Sequence, residues 1–369
     1  MDKKDYMKMA LEFAEKGIGA VNPNPLVGAV VVKNGEIVGT GYHKYYGGPH
    51  AEVYALEEAG ENAVGADIYV TLEPCSHFGK TPPCADKIIE SGIKRCFIAM
   101  KDPNPLVSGR GIQRMQDAGI YVECGIMEEE AIKINHVFLK YITTGKPYVF
   151  LKCAITLDGK IATKNGSSKW ITKEPAREEV HKIRNRYMGI VVGKNTVLHD
   201  DPELNVRVDI ENRRNPYRII IDPELDTPKN AKVVKNAEDG KTIIVTQKDM
   251  IHTSKGFNLK EKGVKFIEMK DYDFSMKEVV EKLGKIGIDS ILVEGGKGVI
   301  GSFFSEKLID GGTIFIAPKI LGDENARSFI GGFDRKEMSE SFVLKGVEVK
   351  MYGDDIGYSF TGIEWKEGV

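Results

Sequence analysis

The stretch Gly47-Gly-Pro-His-Ala-Glu52 contains a candidate metal ligand, and two later stretches contain the others: Glu73-Pro-Cys75 and Pro82-Pro-Cys84. Together they supply one imidazole and two thiols, the ligand set of a catalytic zinc whose fourth position is left for water. The candidate ligands are His50, Cys75 and Cys84. The alternatives are a structural zinc site, which a fourth ligand such as His43 or His77 would have to close, and a set of unrelated buried cysteines.

A carboxylate follows the candidate histidine two positions later. Zinc brings the pKa of bound water close to neutrality, and Glu52 can carry the protons that hydroxide attack and ammonia release require. Nucleobase deaminases show the pattern His-x-Glu followed by Pro-Cys-x-x-Cys. The first half is intact here, but eight residues separate the two cysteines. Because proline is well tolerated in a first helical turn, Pro49 and Pro83 predict that His50 and Cys84 lie at helix N-termini.

The composition is that of an ordinary globular protein. A length of 369 residues favours two domains. The net charge of -2 argues against a basic surface for nucleic acid, and no apolar run is long enough for a membrane span. The five cysteines are sparse and odd in number, which suggests metal use in a reducing cytoplasm. We also expect a homo-oligomer that acts on a small molecule.

Helical and buried apolar segments alternate along the chain, which predicts an α/β fold in both halves. Asn34-Gly35 predicts a tight hairpin between two strands. An amphipathic helical segment is expected over residues 127–141, and the polar stretch from Thr143 to Pro147 predicts the domain boundary. We therefore expect one domain at residues 1–145 and a second at residues 146–369.

The proline-rich stretch Asn22-Pro-Asn-Pro-Leu-Val-Gly28 carries a candidate for reading a base. The amide of Asn24 offers both a donor and an acceptor, which suits a pyrimidine edge. The alternative is that Asn24 only makes the turn beside proline. His43 and His77 stand close to the candidate ligands in sequence, and each is expected to contact either substrate or loop backbone.

A glycine-rich turn marks the second half. A buried strand over residues 290–293 leads through Glu294 into Gly296-x-Gly298-x-x-Gly301. Glycines at a strand-to-helix turn let backbone N–H groups approach a phosphate, and Glu294 lies where α/β sheets present ligands. A Rossmann unit would carry this motif on its first strand, so a plain tight turn is the alternative.

A loop expected over residues 192–207 carries further polar candidates. They are Thr196, Asp200 and Arg207. Arg184, on a preceding helix, and Arg207 could together clamp a phosphate, and solvated surface charge is the alternative. Trp170 either stacks on a ring or belongs to the core.

Over nearly its full length, the chain resembles the bifunctional riboflavin-biosynthesis enzymes, which join a pyrimidine deaminase and a reductase in one polypeptide. In the first half the resemblance is carried by Asn22-Pro-Asn-Pro-Leu-Val-Gly28, His50-Ala-Glu52, the stretch from Glu73 to Cys84, and Asp102-Pro-Asn-Pro105. In the second half it is carried by Thr156-Leu-Asp-Gly-Lys-Ile-Ala162, Asp200-Asp-Pro-Glu-Leu-Asn-Val-Arg207 and Val293-Glu-Gly-Gly296. The long spacing between the two cysteines is a property of that family.

The resemblance implies a cytidine-deaminase-like three-layer N-terminal domain and a C-terminal α/β domain similar to dihydrofolate reductase. It implies zinc-dependent deamination of 2,5-diamino-6-(5-phosphoribosylamino)pyrimidin-4(3H)-one. NADPH reduction of the ribose to a ribityl chain would follow.

The resemblance also implies roles for individual residues. Zinc would fall to His50, Cys75 and Cys84, with Glu52 as the catalytic proton shuttle. Cofactor contacts would fall to Ala154, Trp170, Thr196, Asp200, Gly296, Lys297 and Gly298. Substrate contacts would fall to Ser168, Arg184, Leu204, Arg207 and Glu294, and Lys152 and Asn24 are further substrate candidates.

Two positions depart from the family pattern. Lys80 stands where arginine is expected, which keeps the charge but loses the planar fork. Pro223 stands where the family often has a serine near the cofactor, and proline offers neither a hydroxyl nor an N–H group. The two rival functions are a tRNA adenosine editor and a regulatory binding module. A tRNA adenosine editor would need a basic face, and a regulatory module with a spent active site would not need all four residues of the zinc site.

Overall fold

The structure is a computed structural model that describes residues 1–76, 83–104, 108–270 and 274–365 of the chain. Its contacts divide the chain into two compact units. Unit 1 comprises Met1–Gly145 and Glu211–Arg213, and unit 2 comprises Lys146–Ile210 and Arg214–Val369. His77 and Lys80 lie outside the described residues. Across those four described ranges, no helix has both the length and the apolar character that a membrane crossing requires.

Unit 1 alternates helices with the strands of one sheet. Its helices are α1 (Lys3–Glu15), α2 (Ala51–Ala59), α3 (Cys84–Glu90), α4 (Arg110–Asp117), α5 (Glu128–Ile134) and α6 (His136–Thr144). Its strands are β1 (Gly28–Lys33), β2 (Glu36–Tyr42), β3 (Asp67–Leu72), β4 (Arg95–Met100) and β5 (Tyr121–Cys124). The strand order is β2-β1-β3-β4-β5, in which β1 is antiparallel to its neighbours and β3, β4 and β5 are parallel.

The sheet of unit 1 is held by an apolar core that includes Met7, Ile68 and Phe97, each at most 1% exposed. Burying one such side chain stabilises the fold by roughly 1.5–3 kcal/mol. Helix α2 packs directly on β2, because a Cβ atom on Gly41 would lie only 2.3 Å from the carbonyl oxygen of Ala51. This close approach brings the N-terminus of α2 against the sheet.

Unit 2 is built on a larger sheet. Its helices are α7 (Glu174–Arg186), α8 (Lys194–Asp200), α9 (Lys232–Lys235), α10 (Lys248–Ile251), α11 (Ser254–Glu261), α12 (Met276–Lys285) and α13 (Lys297–Ser305). Its first strands are β6 (Tyr148–Thr156), β7 (Lys160–Ala162), β8 (Gly189–Gly193), β9 (Tyr217–Ile221), β10 (Thr242–Gln247), β11 (Lys265–Met269) and β12 (Ser290–Gly295). The remaining strands are β13 (Gly311–Ala317), β14 (Arg327–Ser328), β15 (Val343–Lys345), β16 (Glu348–Tyr352), β17 (Asp355–Phe360) and β18 (Gly362–Glu364).

The main sheet of unit 2 has the order β11-β10-β9-β8-β12-β6-β13-β17-β16. The strands from β11 to β13 are parallel, and β17 and β16 extend the sheet antiparallel. Central parallel strands are covered on both faces and therefore read as continuous apolar runs, of which Ile291–Val293 is one. Small pairs β14-β7 and β15-β18 complete the unit.

The hairpin at Asn34-Gly35 is confirmed, with both residues in the left-handed region at φ 53° and 85°. The amphipathic segment expected over residues 127–141 is helical but divided, because α5 and α6 meet at Asn135. The side chain of Asn135 accepts from the N–H of Leu26 at 2.8 Å and donates to its carbonyl oxygen at 3.0 Å. A buried amide thus ties the helix break to the loop before β1.

Candidate active sites

The three candidate zinc ligands converge in unit 1. His50 is the extended N-cap residue of α2, Cys84 is the first residue of α3, and Cys75 follows β3. Nδ1 of His50 lies 3.2 Å from Sγ of Cys84 and 3.6 Å from Sγ of Cys75. Tetrahedral zinc with nitrogen and sulfur ligands needs separations of about 3.5–3.8 Å. The separation from Cys75 falls in this range and that from Cys84 is about 0.3 Å shorter, so this donor set fits zinc after a small outward shift of Cys84. Pro49 and Pro83 precede the helices and do not occupy their first turns as predicted.

Hydrogen bonds set the charge of the ligand cluster. The bond from the Cys84 thiol, helped by His50, lowers the pKa of Cys75 well below its usual range, which favours the thiolate. The Cys75 partner raises the pKa of His50 to about 9, so zinc binding at Nδ1 would release the proton that this nitrogen shares with the thiolate. A thiolate at the centre of the cluster is the form that binds a metal cation.

Glu52 lies in the first turn of α2 and is 3% exposed. Burial raises the pKa of its carboxyl group. Its Oε2 atom has no hydrogen-bond partner in the described part of the chain. A buried oxygen without a hydrogen-bond partner destabilises the fold, so its presence indicates a site that binds a ligand or a proton.

His43 does not close the zinc site as a fourth ligand. Its Nδ1 lies 2.9 Å from the carbonyl oxygen of Pro49, so this nitrogen carries the proton and donates. Nε2 is then the acceptor, and it receives an N–H group of Asn24 at 3.0 Å. Burial lowers the pKa of His43, which keeps the ring neutral. The histidine thus contacts loop backbone and orients Asn24, and its contact with substrate stays a prediction.

A cavity of about 290 Å³ joins these groups. It is lined by Asn24, His43, His50, Glu52, Cys75 and several residues for which the sequence predicted no role: Asp102, Asn104, Phe138 and Ile142. Its size lies at the lower end of the range of about 300–1,000 Å³ for small-molecule sites. The stretch Asp102-Pro-Asn-Pro105 repeats the Pro-Asn-Pro pattern around Asn24, and that repetition was the available signal for Asn104.

Glu73 has a structural task that was not predicted from the sequence. Its buried carboxylate accepts backbone N–H groups of Gly109 and Gly111, both at 3.0 Å, and two longer ones nearby. Gly109 and Gly111 lie at the N-terminus of α4, where negative charge is favoured. A Cβ atom on Gly111 would lie 2.1 Å from the carbonyl oxygen of Pro74. The segment that carries Cys75 is therefore clamped onto α4.

Unit 2 contains a cavity of about 650 Å³ at the carboxyl ends of its central strands. Nine of the candidate cofactor and substrate residues line it: Lys152, Ala154, Ser168, Thr196, Asp200, Glu294, Gly296, Lys297 and Gly298. Thr196 and Asp200 lie on α8, so the loop expected there is wrong in its first part. The structure brings these residues together, and their individual roles stay predictions.

The glycine-rich turn has the expected strand-to-helix geometry. Gly296 is the N-cap residue of α13 at φ 73°, a conformation that favours glycine. A Cβ atom on Gly295 would lie 2.9 Å from Cα of Val192, so close packing against the neighbouring strand requires glycine at this position. A Cβ atom on Gly298 would meet no described atom within 4 Å, and this residue lines the cavity. The turn leaves the first N–H groups of α13 beside the cavity, as anion binding requires.

Glu294 is held by two cations. Arg184 forms a two-pronged ion pair with it at 2.6 and 2.7 Å, and Nζ of Lys152 lies 3.9 Å from Oε2. Burial opposes ionisation, but Arg184 and Lys152 overcome it and lower the pKa of Glu294 to about 2. Arg184 is therefore buried in an ion pair, and the alternative of solvated surface charge is wrong for it.

Four candidate residues are absent from the described wall of this cavity: Trp170, Arg184, Leu204 and Arg207. Trp170 is 63% exposed with the guanidinium of Arg177 4.7 Å from its ring centre, so the expectation of a core tryptophan is wrong. The Leu204 side chain is buried at a backbone φ of 51°. The Arg207 side chain is 54% exposed and donates to Asn205 at 2.8 Å.

Two family models match the chain. A model described as the cytidine and deoxycytidylate deaminase zinc-binding region matches residues 1–100. A model described as the RibD C-terminal domain matches residues 147–358. The riboflavin biosynthesis protein RibD of Aquifex aeolicus is 48% identical over 353 residues, which cover 96% of this chain and 96% of that protein.

Solved structures agree with these matches. RibD of Acinetobacter baumannii is 38% identical with a TM-score of 0.88, covering 97% of this chain and 98% of that one. A diaminohydroxyphosphoribosylaminopyrimidine deaminase/5-amino-6-(5-phosphoribosylamino)uracil reductase from Thermotoga maritima is 39% identical with a TM-score of 0.86, at the same coverage of 97% and 98%. These similarities confirm the predicted α/β fold class and the resemblance read from the motifs.

Proposed function

This chain belongs to the RibD family of bifunctional deaminase/reductases of riboflavin biosynthesis, and we propose how its residues divide the two reactions. Residues 1–145 would remove the amine from 2,5-diamino-6-(5-phosphoribosylamino)pyrimidin-4(3H)-one. Residues 146–369 would then reduce the ribosyl group of the product to a ribityl chain. The observation that carries the proposal is the buried Oε2 atom of Glu52, which has no partner among the described residues and lies beside three candidate metal ligands. Glu52 lines one cavity together with two of those ligands, His50 and Cys75.

In the deaminase, His50, Cys75 and Cys84 would hold the metal through Nδ1 and two Sγ atoms. Bound zinc would supply a water molecule acidified to near neutrality. Oε2 of Glu52 would accept one proton of that water and pass it to the ring nitrogen. It would then carry the second proton, from the hydroxyl group added to the ring carbon, to the amine as the C–N bond breaks and ammonia leaves. Burial supports this role, because a raised pKa makes the carboxylate a better proton acceptor.

Asn24 would hold the pyrimidine in this cavity. Because one of its N–H groups is directed at His43, its carbonyl oxygen is turned to a different partner. An amide oxygen that faces a pyrimidine can accept from a ring N–H or an exocyclic amine. Asn24 can therefore both form the turn beside proline and hydrogen-bond the pyrimidine.

The test of the deaminase is Glu52→Gln. We expect the variant to retain about one zinc per chain by elemental analysis and to lose ammonia release, because the amide cannot carry the proton. Glu57→Gln, on the exposed side of the same helix, is the matched control and should keep both properties. Turnover in Glu52→Gln at the rate of the control would refute the assignment.

In the reductase, the turn at Gly296 and Gly298 would receive the cofactor's phosphates on the N-terminus of α13. Bound NADPH would supply the hydride. Lys152 is supported as the group near the reacting carbon, because its ammonium lies on a central strand and is steered by Glu294. Arg184 acts on the site through Glu294, and the exposed Arg207 is available for the substrate phosphate.

The test of the reductase follows nicotinamide absorbance with the deaminated substrate. Arg207→Ala should raise KM by about tenfold or more, since a charge-assisted hydrogen bond to phosphate is lost. The exposed Lys182→Ala on α7 is the control. An unchanged KM in Arg207→Ala would remove that residue from the substrate site.

We also propose that the protein works in the cytoplasm as a homo-oligomer. The described cysteines are all free thiols, which suits a reducing compartment. Strand β16 is a sheet edge with Val349 61% and Met351 57% exposed, and apolar edge strands tend to pair. Sedimentation of the wild type and of Met351→Lys tests the assembly, and a wild-type monomer would contradict it.

A further inference from the structure

One corner of the cavity of unit 2 contains a charged side chain, Lys194, to which the two proposed reactions assign no role. Lys194, the first residue of α8, lines this corner together with Ile221 and Pro223 at the end of β9. In the sheet order β6-β12-β8-β9, the corner lies two to three strands from Lys152 on β6. Neighbouring strands are about 4.8 Å apart, so the separation is roughly 10–14 Å. The corner is therefore well separated from Lys152, as the adenosine end of an extended dinucleotide is from its nicotinamide end.

Two carboxylates hold the ammonium group of Lys194. Its Nζ donates to Asp226 at 2.7 Å and also to Glu224. The side chain of Lys194 is 25% exposed, while the carboxylates are 58% and 50% exposed. The hydrogen bonds with Asp226 and Glu224 raise the pKa of Lys194, which therefore stays charged. A cation is thus held ready at the cavity wall.

The nearby group of Asp222, Glu224 and Asp226 has metal-like spacing but another explanation. Asp222 is fully buried and accepts from the N–H of Asp226 at 2.8 Å and from both the N–H and the hydroxyl of Thr227 at 2.7 Å. Glu224 and Asp226 are neutralised in part by Lys194. Their charges are therefore used within the protein, and no metal is assigned there.

The other cations on the wall lie elsewhere. Lys152 is directed at Glu294. Lys297 begins α13, and its Cε atom lies 2.1 Å from where a Cβ atom on Gly331 would be, so its chain packs on that backbone. Arg327 lies on β14, which pairs with β7 after β6. Pro223, on the same corner as Lys194, offers neither a hydroxyl nor an N–H group.

We propose that Lys194 binds the 2′-phosphate of the adenosine half of the cofactor, and so makes the reductase prefer NADPH to NADH. Sites of this kind distinguish the two cofactors by a cation for the 2′-phosphate or a carboxylate for the free 2′-hydroxyl. Glu224 and Asp226 position the ammonium but also oppose a nearby dianion. The inference rests on the proposed reductase function and names the residue that selects its cofactor.

The test compares binding of 2′,5′-ADP and 5′-AMP to the full-length protein by titration calorimetry. In Lys194→Ala, we expect the affinity for 2′,5′-ADP to fall about tenfold or more and that for 5′-AMP to change less than about twofold. The double variant E224Q/D226N should bind 2′,5′-ADP several-fold more tightly, because two competing negative charges are removed. Lys248→Ala is the matched control, since Lys248 begins α10 directly after β10 and is exposed.

The KM values for NADPH and NADH give a second readout, in which only the NADPH value should rise in Lys194→Ala. Equal weakening of both nucleotides, or of neither, would overturn the role of Lys194. Failure of both nucleotides to bind the wild type would instead remove the dinucleotide site itself, and the inference with it. Circular dichroism of each variant separates these outcomes from misfolding.

Discussion

The amide nitrogen of Asn24 lies 3.0 Å from Nε2 of His43, and this contact decides which end of the amide faces the deaminase cavity. The carbonyl oxygen of Pro49 can only accept, so the proton of the neutral imidazole is on Nδ1. Nε2 must then accept, and the Asn24 group that points to it must be an N–H group. A backbone oxygen next to the metal site therefore sets the orientation of a candidate substrate residue.

This relay predicts that the two residues act as one unit. Asn24→Ala should raise KM for the deaminase substrate about tenfold, because a net hydrogen bond contributes roughly 1–1.5 kcal/mol. His43→Phe, which removes the acceptor but keeps a flat ring, should give a similar rise with zinc retained. The double variant should be no worse than either single variant by more than about twofold, and fully additive effects would show that the residues act separately.

Because the segment from Glu73 to Cys75 packs closely on α4, even a small substitution at that contact should destabilise the protein. Gly111→Ala would force a Cβ atom to within 2.1 Å of the Pro74 carbonyl oxygen, so the segment before Cys75 must move. We expect destabilisation by about 1–3 kcal/mol and weaker zinc retention against a chelator. Gln113→Ala, on the exposed face of α4, should change neither by a measurable amount. Normal zinc retention in Gly111→Ala would disprove the coupling.

The buried ion pair of unit 2 predicts a large loss on removal of one partner. Arg184→Met leaves Glu294 buried without its bidentate partner, which should lower the free energy of unfolding by about 3–5 kcal/mol. Lys182→Met on the same helix is exposed and should change it by at most about 0.5 kcal/mol. Denaturant unfolding of both variants measures the difference, and equal stabilities would mean that the pair is dispensable.

The lowered pKa of Glu294 predicts an acid-sensitive stability. Its value falls from 4.5 to about 2 on folding, because Arg184 and Lys152 outweigh the opposing effect of burial. A lowered carboxyl pKa stabilises the fold above the unfolded value, and this part is lost as the pH falls from about 4.5 to about 2. The full effect is on the order of 3 kcal/mol. Glu294→Gln should lack this part of the pH dependence. Thermal unfolding of the variant and the wild type across that pH interval measures the difference.

Removal of the metal should separate the two activities. A chelator that strips zinc from His50, Cys75 and Cys84 should abolish ammonia release, whereas reduction of the deaminated substrate should continue. Zinc added back should restore the first activity. Cys124→Ser, which alters a thiol outside the ligand cluster, should behave as the wild type throughout. Loss of both activities on chelation would contradict the assignment of zinc to the deaminase alone.

Part of this architecture could be read from short stretches of the chain. The hairpin at Asn34-Gly35 needs only two residues that tolerate positive φ, and the helix that begins after His50 needs a stop at Gly60. The metal ligands could be named because one imidazole and two thiols in such a context have few other uses. These inferences succeed because backbone preference and ligand chemistry are properties of neighbouring residues.

Other features were decided only when distant segments met. Arg184 and Glu294 are 110 residues apart, and nothing near either residue reveals that each neutralises the other. Asn135 interrupts a helical pattern because its amide pairs with Leu26, 109 residues away. Sequence periodicity is a local signal, whereas the order of strands in a sheet brings together side chains with no local relation. The chain by itself therefore determined the chemistry of the metal site, and the tertiary structure decided which charges are buried, paired or left for a ligand.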